Sequence, residues 1–337
     1  MELNYPILGI DVSKAKIDVC LLDEQGERSA LLVKNASSGF TQLRAWLGRH
    51  KADHVTACIE ATNVYSAAIT LFLYEQGMTV CLANPTAVHA FMRAEMQRAK
   101  TDKADAVSIA NFARAMAEKL RPWQPLPAQY AELRDLVRYL HDLTRCRAKA
   151  KNRMEKIPYL KSAAKARIQR AIKADLAHYE KEIRLLTKDI RACLRKDLAM
   201  QQRYELITSA PGIGFVTAVT FMAEIPDINQ FSYAKQLAAY AGVTPRIRHS
   251  GDRRPVSQPI SKMGNARLRQ AFFMASLSAR QHNNAMKVCP QHGHEKKPMV
   301  LQIAVARKLL HLLYAMETHH KPFDQNHQKQ RMSPGTI

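Results

Sequence analysis

The sequence predicts an α/β domain with a mixed sheet, then a basic helical hairpin and a mainly α-helical C-terminal domain. Short apolar runs alternate with helical patterns over the first 120 residues, and a proline-rich stretch, RPWQPLPAQ, follows at 121–129. Alternating strands and helices are typical of an α/β sheet, and proline-rich segments are typical of domain boundaries. We therefore predict four parts: an α/β domain at 1–125, a basic coiled-coil region at 126–203, a helical domain at 204–325 and a tail at 326–337.

The charge distribution supports this division and indicates a polyanionic partner. The chain holds 51 Lys and Arg against 29 Asp and Glu, a net charge of +22. Residues 1–120 hold 13 basic and 13 acidic residues, residues 131–200 hold 19 and 9, and residues 240–337 hold 16 and 4. Such an excess favours nucleic acid, because neutralised phosphates release condensed counterions. Ribosome-like or membrane-surface binding would give the same bulk charge, so charge alone names no reaction.

The sequence also predicts a soluble, cytoplasmic protein without a membrane partner. No apolar run approaches the length of a membrane span, and the start, MELNYPILGID, lacks a charged region and a cleavage site. Six cysteines without Cys-x-x-Cys spacing suit free thiols in a reducing compartment. Cys289, His292 and His294 form a loose metal-like cluster, but no fourth ligand is obvious nearby, so a polar loop is the preferred interpretation.

In the first domain, ILGIDVSKAKIDVCLLDEQGERSALLVKN predicts a β-hairpin or meander. HVTACIEAT predicts a strand that ends at Glu60, and MTVCLANP predicts another strand that Pro85 terminates. Helices are expected over about 38–49, with Ser37 or Ser38 as N-cap, and over about 63–76.

Four acidic residues of this domain stand apart from the others. Asp11 interrupts an apolar strand and Glu60 ends another, and a buried Asp is rare without a partner. Asp102 and Asp105, in KTDKADAVSIANFARAMA, open a helix three residues apart and share one face. An acidic first turn also suits the helix dipole, so this pair has a structural alternative. In type and order the four residues resemble the D-E-D-D set of an RNase H-like (RuvC-like) nuclease domain.

Converging carboxylates suit hard cations such as Mg²⁺ (or Mn²⁺). Mg²⁺ takes oxygen ligands and completes its octahedron with water and substrate phosphate oxygens. Two such ions about 4 Å apart can stabilise the attacking and leaving oxygens of phosphoryl transfer. The four acidic residues therefore predict a metal-dependent phosphoryl-transfer site, with scattered surface acids as the alternative.

The middle region predicts an antiparallel helical hairpin with a basic outer face. Leu133, Val137 and Leu140 keep a 3–4 spacing, and a similar spacing recurs from Ile183 onward among dense Lys and Arg. Pro158 lies between the two predicted helices and separates them, and the hairpin could pair with another protomer as a coiled coil. The basic residues predict a face that follows nucleic acid, although a merely solvated face is the alternative.

Two segments of the third domain have the composition of phosphate-binding elements. Gly212 and Gly214, in APGIGF, form a Gly-x-Gly turn whose amides could hold a DNA phosphate as in helix-hairpin-helix modules, although a simple turn explains them nearly as well. Further on, PRIRHSGDRRPVSQP places Ser250 among arginines, and SKMGNARLR opens a helix. The predicted nucleic-acid-binding side chains here are Arg246, Arg248, Arg253, Arg254, Lys262, Arg267 and Arg269. His249 could assist proton transfer, and a solvated histidine is the alternative.

Several ordered motifs together resemble the DEDD-type insertion-sequence transposases, a family described as bridge-RNA-guided recombinases. The motifs are GIDVSK, CIEAT and KTDKADA in the first domain, and PGIG, AAYAGVTP, the Ser-Gly of RHSG, SKMGNARLR and KPFD in the last. They extend over nearly the whole chain. The four acidic positions and Ser250 fit the family pattern.

The resemblance implies functions that spacing alone does not show. It implies that Asp11, Glu60, Asp102 and Asp105 bind Mg²⁺ and that Ser250 attacks a DNA phosphate, forming a covalent phosphoserine link before strand exchange. It further implies donor and target DNA as substrates, and a structured guide (bridge) RNA that specifies both by base pairing. The two domains would meet as a composite site between protomers of a dimer or tetramer, in the cytoplasm of a prokaryotic cell.

Two other functions fit the same residues. A hydrolytic RNase H-like nuclease or junction resolvase would use the carboxylates and leave Ser250 only to contact phosphate. A non-catalytic nucleic-acid-binding protein could have kept the fold, although four converging carboxylates argue against it.

Overall fold

The computed structural model describes residues 6–61, 64–96, 101–248, 256–283, 286 and 298–324, without the side chains of 102, 247, 248 and 256–258. The chain forms two compact units, Met1–Pro125 (unit 1) and Leu126–Ile337 (unit 2). The further division of unit 2 at residue 203 stays a prediction.

Unit 1 is built on a five-stranded mixed sheet of order β3-β2-β1-β4-β5. The first three strands form an antiparallel meander, while β1, β4 and β5 run parallel. This confirms the predicted α/β domain with a mixed sheet. The strands are β1 Ile7–Val12, β2 Lys16–Leu22, β3 Arg28–Lys34, β4 Thr56–Glu60 and β5 Thr79–Ala83.

Helices of unit 1 follow the strands, with two differences from the sequence prediction. Helix α1 is capped by Ala36 without a side-chain hydrogen bond, so the prediction of a serine N-cap is wrong. Pro85 follows β5 but also begins a helix, α3, which the sequence analysis missed; Asn84 caps it by accepting from Thr86 N at 2.9 Å. The helices are α1 Ser37–Arg49, α2 Ala67–Glu75, α3 Pro85–Ala94 and α4 Asp102–Ala115, with short 3₁₀ turns at Val64–Ser66 and Ala117–Lys119.

Helix α4 lies unusually close to β1 because Gly9 has no side chain. A Cβ at Gly9 would lie 2.3 Å from the carbonyl oxygen of Ala106 and 2.5 Å from the backbone nitrogen of Ala110. The contact holds the helix against the sheet face that carries the buried side chains of Ile7 and Cys58. Gly9 therefore fixes the position of α4 above the centre of the sheet.

Unit 2 is mainly helical, and its first two helices form the predicted hairpin. The start of α5 lies beside the end of α6, where Gln129 donates to Asp197 at 3.1 Å. At the other end of α5, a 3₁₀ turn at Ile157–Tyr159, which contains Pro158, ends the helix. Pairing with a second protomer as a coiled coil stays a prediction. The elements are α5 Ala128–Lys156, α6 Lys165–Lys196, α7 Leu198–Thr208, α8 Phe215–Glu224, a 3₁₀ turn Ile228–Gln230, α9 Ala234–Tyr240, β6 Pro245–Arg248, β7 Val256–Ile260, α10 Ala266–His282 and α11 Pro298–His319.

One hydrophobic core joins the helical hairpin to the later helices of unit 2. Leu133 and Val137 of α5 pack in the same buried cluster as Phe221 of α8 and Phe272 of α10. Helix α11 is long and apolar enough to cross a membrane by length and composition, contrary to the expectation that no apolar run approaches that length. In the structure its buried residues, such as Leu309, belong to this core.

The contact between Gly9 and α4 gives a stability prediction. Gly9→Ala should lower the free energy of unfolding by about 3 kcal/mol, because the new methyl group meets backbone atoms that cannot rotate away. Urea denaturation followed by circular dichroism measures the change. Gly48→Ala is the matched control, since a Cβ there meets nothing within 4 Å, and helix propensity should stabilise it by up to about 1 kcal/mol. A wild-type midpoint for Gly9→Ala would contradict the proposed packing constraint.

Candidate functional site

Two predicted site residues, Asp11 and Glu60, lie on neighbouring parallel strands at the same end of the sheet. The register of β1 and β4 pairs Ile10 with Ile59, and the two carboxylate residues follow one position later on each strand. Neighbouring strands are about 4.8 Å apart, so residues in register lie side by side. Both are partly buried. Strand pairing thus brings together two acidic residues that are 49 positions apart in the sequence.

Helix α4 covers the sheet face on which these two residues lie. Side chains alternate along a strand, so Asp11 shares the face of Gly9, and Glu60 shares that of Cys58. Gly9 faces Ala106 and Ala110, whereas Arg114, at the other end of α4, reaches to 3.6 Å from a Cβ on Gly26 in the β2–β3 turn. The first turn of α4 is therefore directed toward the end of β1 that carries Asp11.

The first turn of α4 contains the other two predicted acidic residues. Thr101 caps the helix, its hydroxyl accepting from Ala104 N at 3.2 Å. Asp105 is partly buried in that turn. Asp102 is the first residue of α4, and its side chain lies outside the described part of the structure. The fold thus brings three elements with acidic residues to one end of the sheet.

A fifth acidic residue, Asp18, lies at the same place and was missed from the sequence. The antiparallel register of β1 and β2 places it directly opposite Asp11, on the face that α4 covers. Its carboxylate lies 3.6 Å from the Lys16 ammonium. Like Asp11, it is an acidic residue within an apolar strand, KIDVCLL, and that signal could have identified it.

The donor set at this end of the sheet fits a hard divalent cation. Carboxylate oxygens are the ligands that Mg²⁺ prefers, and here they come from the ends of two strands and the start of a helix. Among the side chains that the structure describes, no three of His, Cys, Asp or Glu are close enough to form a metal site. The side chain of Asp102, which lies outside the described part of the structure, would have to complete such a set.

In unit 2, two glycine turns interlock at the base of the β6–β7 hairpin. Gly242 and Gly264 have φ angles of 72° and 115°. A Cβ would lie 2.5 Å from the Met263 oxygen at the first and 2.2 Å from the Tyr240 oxygen at the second. Asn265 N also donates to the Tyr240 oxygen at 2.7 Å. The motifs AAYAGVTP and SKMGNARLR therefore form one rigid base for the hairpin between them.

A buried carboxylate, Glu224, connects this base to the helical hairpin. It accepts two hydrogen bonds of 3.0 Å from the Arg138 guanidinium of α5, and one of 2.8 Å from Asn265 Nδ2. Asn265 in turn caps α10, its Oδ1 accepting from Arg267 N and Leu268 N. Burial alone would raise the pKa of Glu224, but the hydrogen bonds and charge of Arg138 outweigh it and lower the pKa below its ordinary 4.5.

The predicted nucleic-acid-binding residues fall into two groups in the structure. Arg246 and Lys262 are exposed near the hairpin base, and the Arg246 guanidinium donates to the Ser261 oxygen at 3.2 Å. Arg269 donates to two backbone oxygens, those of Ala241 and Lys262, so it also supports the fold. Arg267 is partly buried, and its positive charge lowers the pKa of Glu224.

The two predicted glycines also differ in their surroundings. Gly212 has a φ of 97°, and a Cβ there would lie 2.5 Å from Ala279 of α10, so close packing requires a glycine. Gly214 is the N-cap residue of α8, and a Cβ there meets nothing within 4 Å. Phosphate binding by this turn, and its likeness to a helix-hairpin-helix, stay predictions.

Other predicted residues lie outside the described part of the chain. They are His249, Ser250, Arg253, Arg254, Cys289, His292 and His294, together with the side chain of Arg248. The structure does describe strands β6 and β7, which lead into and out of residues 249–255.

Comparisons with known proteins find matches to transposase family models in both units. Residues 8–162 match the family model DEDD_Tnp_IS110, described as a transposase, and residues 204–289 match the model of the transposase IS116/IS110/IS902 family. The class is therefore that of transposases, enzymes that cleave and rejoin DNA. The chain belongs to the IS110 transposase family, as the sequence resemblance predicted.

Two relatives match over most of their length. A pilin gene-inverting protein of Moraxella bovis is 28% identical over 331 residues, covering 96% of this chain and 99% of that protein. The transposase for insertion sequence element IS1111A of Coxiella burnetii is 24% identical over 339 residues, covering 90% of this chain and 84% of that protein.

The Glu224 network gives a prediction about stability and pH. Glu224→Gln should lower the free energy of unfolding at pH 7 by about 2 kcal/mol, because it removes charged hydrogen bonds to Arg138. The folded state lowers the pKa of Glu224, so its contribution is complete above 4.5 and is lost as pH falls through the lower, folded-state value. The difference between wild type and variant should therefore shrink in acid.

Urea denaturation at a series of pH values from 3 to 7 measures this difference. Glu205→Gln is the matched control, because Glu205 is exposed on α7 and its carboxylate accepts a hydrogen bond from Gln201 on the same helix. A stability difference for Glu224→Gln that is equally large at pH 3 and pH 7 would contradict the assigned ion pair.

Proposed function

We propose that the protein is an RNA-guided DNA recombinase in which Ser250 is the nucleophile. The observation that carries the proposal is the strand register that sets Asp11 beside Glu60 under the first turn of α4. An acidic set at one end of a mixed sheet is compatible with an RNase H-like phosphoryl-transfer domain, and the family matches supply the reaction class. The role of Ser250 is carried over from the family that the motifs resemble.

The covalent step balances as a transesterification. A bond forms between the Ser250 oxygen and a DNA phosphorus, one backbone P–O bond breaks, and the released DNA hydroxyl takes up a proton. In strand exchange, a hydroxyl of another DNA end attacks the phosphoserine and frees the serine. A serine hydroxyl is a weak nucleophile, so a base or cation must activate it.

The carboxylates are proposed to hold Mg²⁺ (or Mn²⁺) for this step. Asp11, Glu60 and Asp105 would hold it together with Asp102, and when bound the ion would neutralise phosphate charge and favour loss of the serine proton. In unit 2 the exposed Arg246 and the arginines flanking Ser250 would position the phosphate by charge-assisted hydrogen bonds.

Basic residues of the helical hairpin are proposed to bind the guide RNA and DNA backbones. The hairpin region, 131–200, carries 19 basic residues against 9 acidic ones, as polyanion binding requires. Base pairing with a guide RNA would then supply sequence specificity. A dimer or tetramer would bring the carboxylates of one protomer to the serine of another, in the cytoplasm.

The covalent intermediate tests this proposal. Wild-type protein, incubated with the RNA that co-purifies with it and DNA complementary to that RNA, should yield a protein-linked strand on a denaturing gel. Ser250→Ala should abolish the linked strand, whereas Ser261→Ala, at the other side of the hairpin, should keep it. Free hydrolysed ends from the wild type, formed equally by Ser250→Ala, would show a hydrolytic nuclease instead.

The carboxylate role gives a separate prediction. Asp11→Asn should lower the yield of the protein-linked strand by at least about 100-fold, because a metal ligand is lost, while binding of DNA stays unchanged. Asp53→Asn is the matched control, since Asp53 is an exposed partner of Arg44 away from the sheet end. Wild-type yield for Asp11→Asn, across a titration of Mg²⁺, would contradict a catalytic role for the acidic set.

A further inference from the structure

A cavity of about 760 Å³ lies in unit 2 between the base of the β6–β7 hairpin and the start of α11. Apolar side chains dominate its lining, with two prolines from the hairpin base and Met299, Val300 and Ile303 from α11. Two cationic residues, Lys262 and Arg307, complete it. Met299 and Val300 are 61% and 53% exposed, so the apolar lining is open to a ligand.

Two polar atoms beside the cavity have no hydrogen-bond partner among the described residues. Arg307 Nε is buried and has no hydrogen-bond partner among the described residues, and Thr244 Oγ1, between two cavity-lining residues, is in the same state. A buried polar atom without a partner costs about 1–3 kcal/mol. One of the two atoms belongs to a guanidinium group, which favours an anion.

The lining matches the two parts of a nucleotide. Aliphatic side chains and the two prolines can pack against the face of a base, and a lysine with an arginine can neutralise a phosphate. A simple inorganic anion would leave the apolar lining unused, and an apolar ligand would leave Arg307 unpaired. The combination therefore favours a ligand that carries both a flat ring and a phosphate.

The position of the cavity indicates which nucleic acid supplies that nucleotide. Pro245 lines the cavity and begins β6, and Ser250 follows it by five residues, a chain length that spans at most about 18 Å. That distance corresponds to about five nucleotides of one DNA strand at 3.4 Å each. A nucleotide in the cavity is therefore close along the strand to the phosphate that Ser250 is proposed to attack.

We propose that this cavity binds one unpaired nucleotide of the DNA strand near the site of cleavage. Its base stacks against the apolar lining, and its phosphate contacts Arg307 and Lys262. Removing a base from the DNA stack costs a few kcal/mol, which the stacking and the ionic contacts offset. This inference rests on the proposed function, because it takes the DNA strand attacked by Ser250 as the ligand.

Photochemical cross-linking tests the site without requiring catalysis. The probe is a single-stranded DNA 12-mer with one central 4-thiothymidine, and mass spectrometry locates the cross-link. Wild-type protein should cross-link at residues 299–304 of α11. Ala304→Trp, which fills the cavity, should lower that yield about tenfold, as a loss of about 1.4 kcal/mol requires. Ala315→Trp, exposed three turns further along α11, should match the wild type.

A charge variant and an RNA probe complete the test. Arg307→Gln should also lower the yield about tenfold, whereas Lys308→Gln, the exposed neighbour, should change it less than twofold. Unchanged thermal unfolding of each variant shows that folding is intact. The second probe is a single-stranded RNA 12-mer of the same sequence with 4-thiouridine at the same position. No cross-link at α11 in the wild type, an unchanged yield in Ala304→Trp, or a stronger cross-link to the RNA probe than to the DNA probe would overturn the inference.

The outcome is separable from that of the proposed function. Ser250→Ala should keep the wild-type cross-link, since nucleotide binding does not need the hydroxyl group. A cross-link at α11 without any protein-linked strand would contradict the proposal that Ser250 is the nucleophile and would leave the cavity assignment intact. If no cross-link forms at α11 and Ala304→Trp still forms the protein-linked strand at the wild-type level, the cavity assignment is contradicted and the proposed role of Ser250 is kept.

Discussion

The arrangement of unit 2 depends on the hydrogen bonds that the buried carboxylate of Glu224 accepts. The carboxylate holds Arg138 of the helical hairpin and Asn265 of the SKMGNARLR motif at the same time, and Asn265 fixes the start of α10. Replacing Arg138 would leave the buried Glu224 carboxylate without its opposite charge, which is more costly than the net gain of the pair. This carboxylate therefore joins the basic helices to the base of the β6–β7 hairpin.

In unit 1 the positions of the acidic residues are fixed by close backbone packing rather than by a buried charge. Gly9 lets α4 contact β1, and the parallel register of β1 and β4 then determines which acidic residues meet. Asp11 and Asp18 are directly opposite across two strands, and like charges in that position repel. The Lys16 ammonium, 3.6 Å from the Asp18 carboxylate, relieves part of this repulsion, and the proposed Mg²⁺ would relieve more of it.

Much of this arrangement could be predicted from local sequence patterns. Asp11 and Glu60 interrupt or end apolar strands, and such positions indicate a site because a buried carboxylate needs a partner. Asp18 carries the same signal but was overlooked, since its place in the site depends on strand pairing. Glu224 could not be recognised, because a helical acidic residue gives no sign that its partners lie 41 and 86 positions away. The role of Ser250 came only from the resemblance to the family.

The central claim is that Ser250 itself becomes bonded to DNA, and peptide mapping tests it most directly. The protein-linked strand is digested with nuclease and protease, and tandem mass spectrometry locates the residual nucleotide on the peptide. We expect the nucleotide mass on Ser250, released by treatment that cleaves phosphoserine esters. A nucleotide on any other residue, or a wild-type reaction that leaves only free DNA ends, would contradict the account.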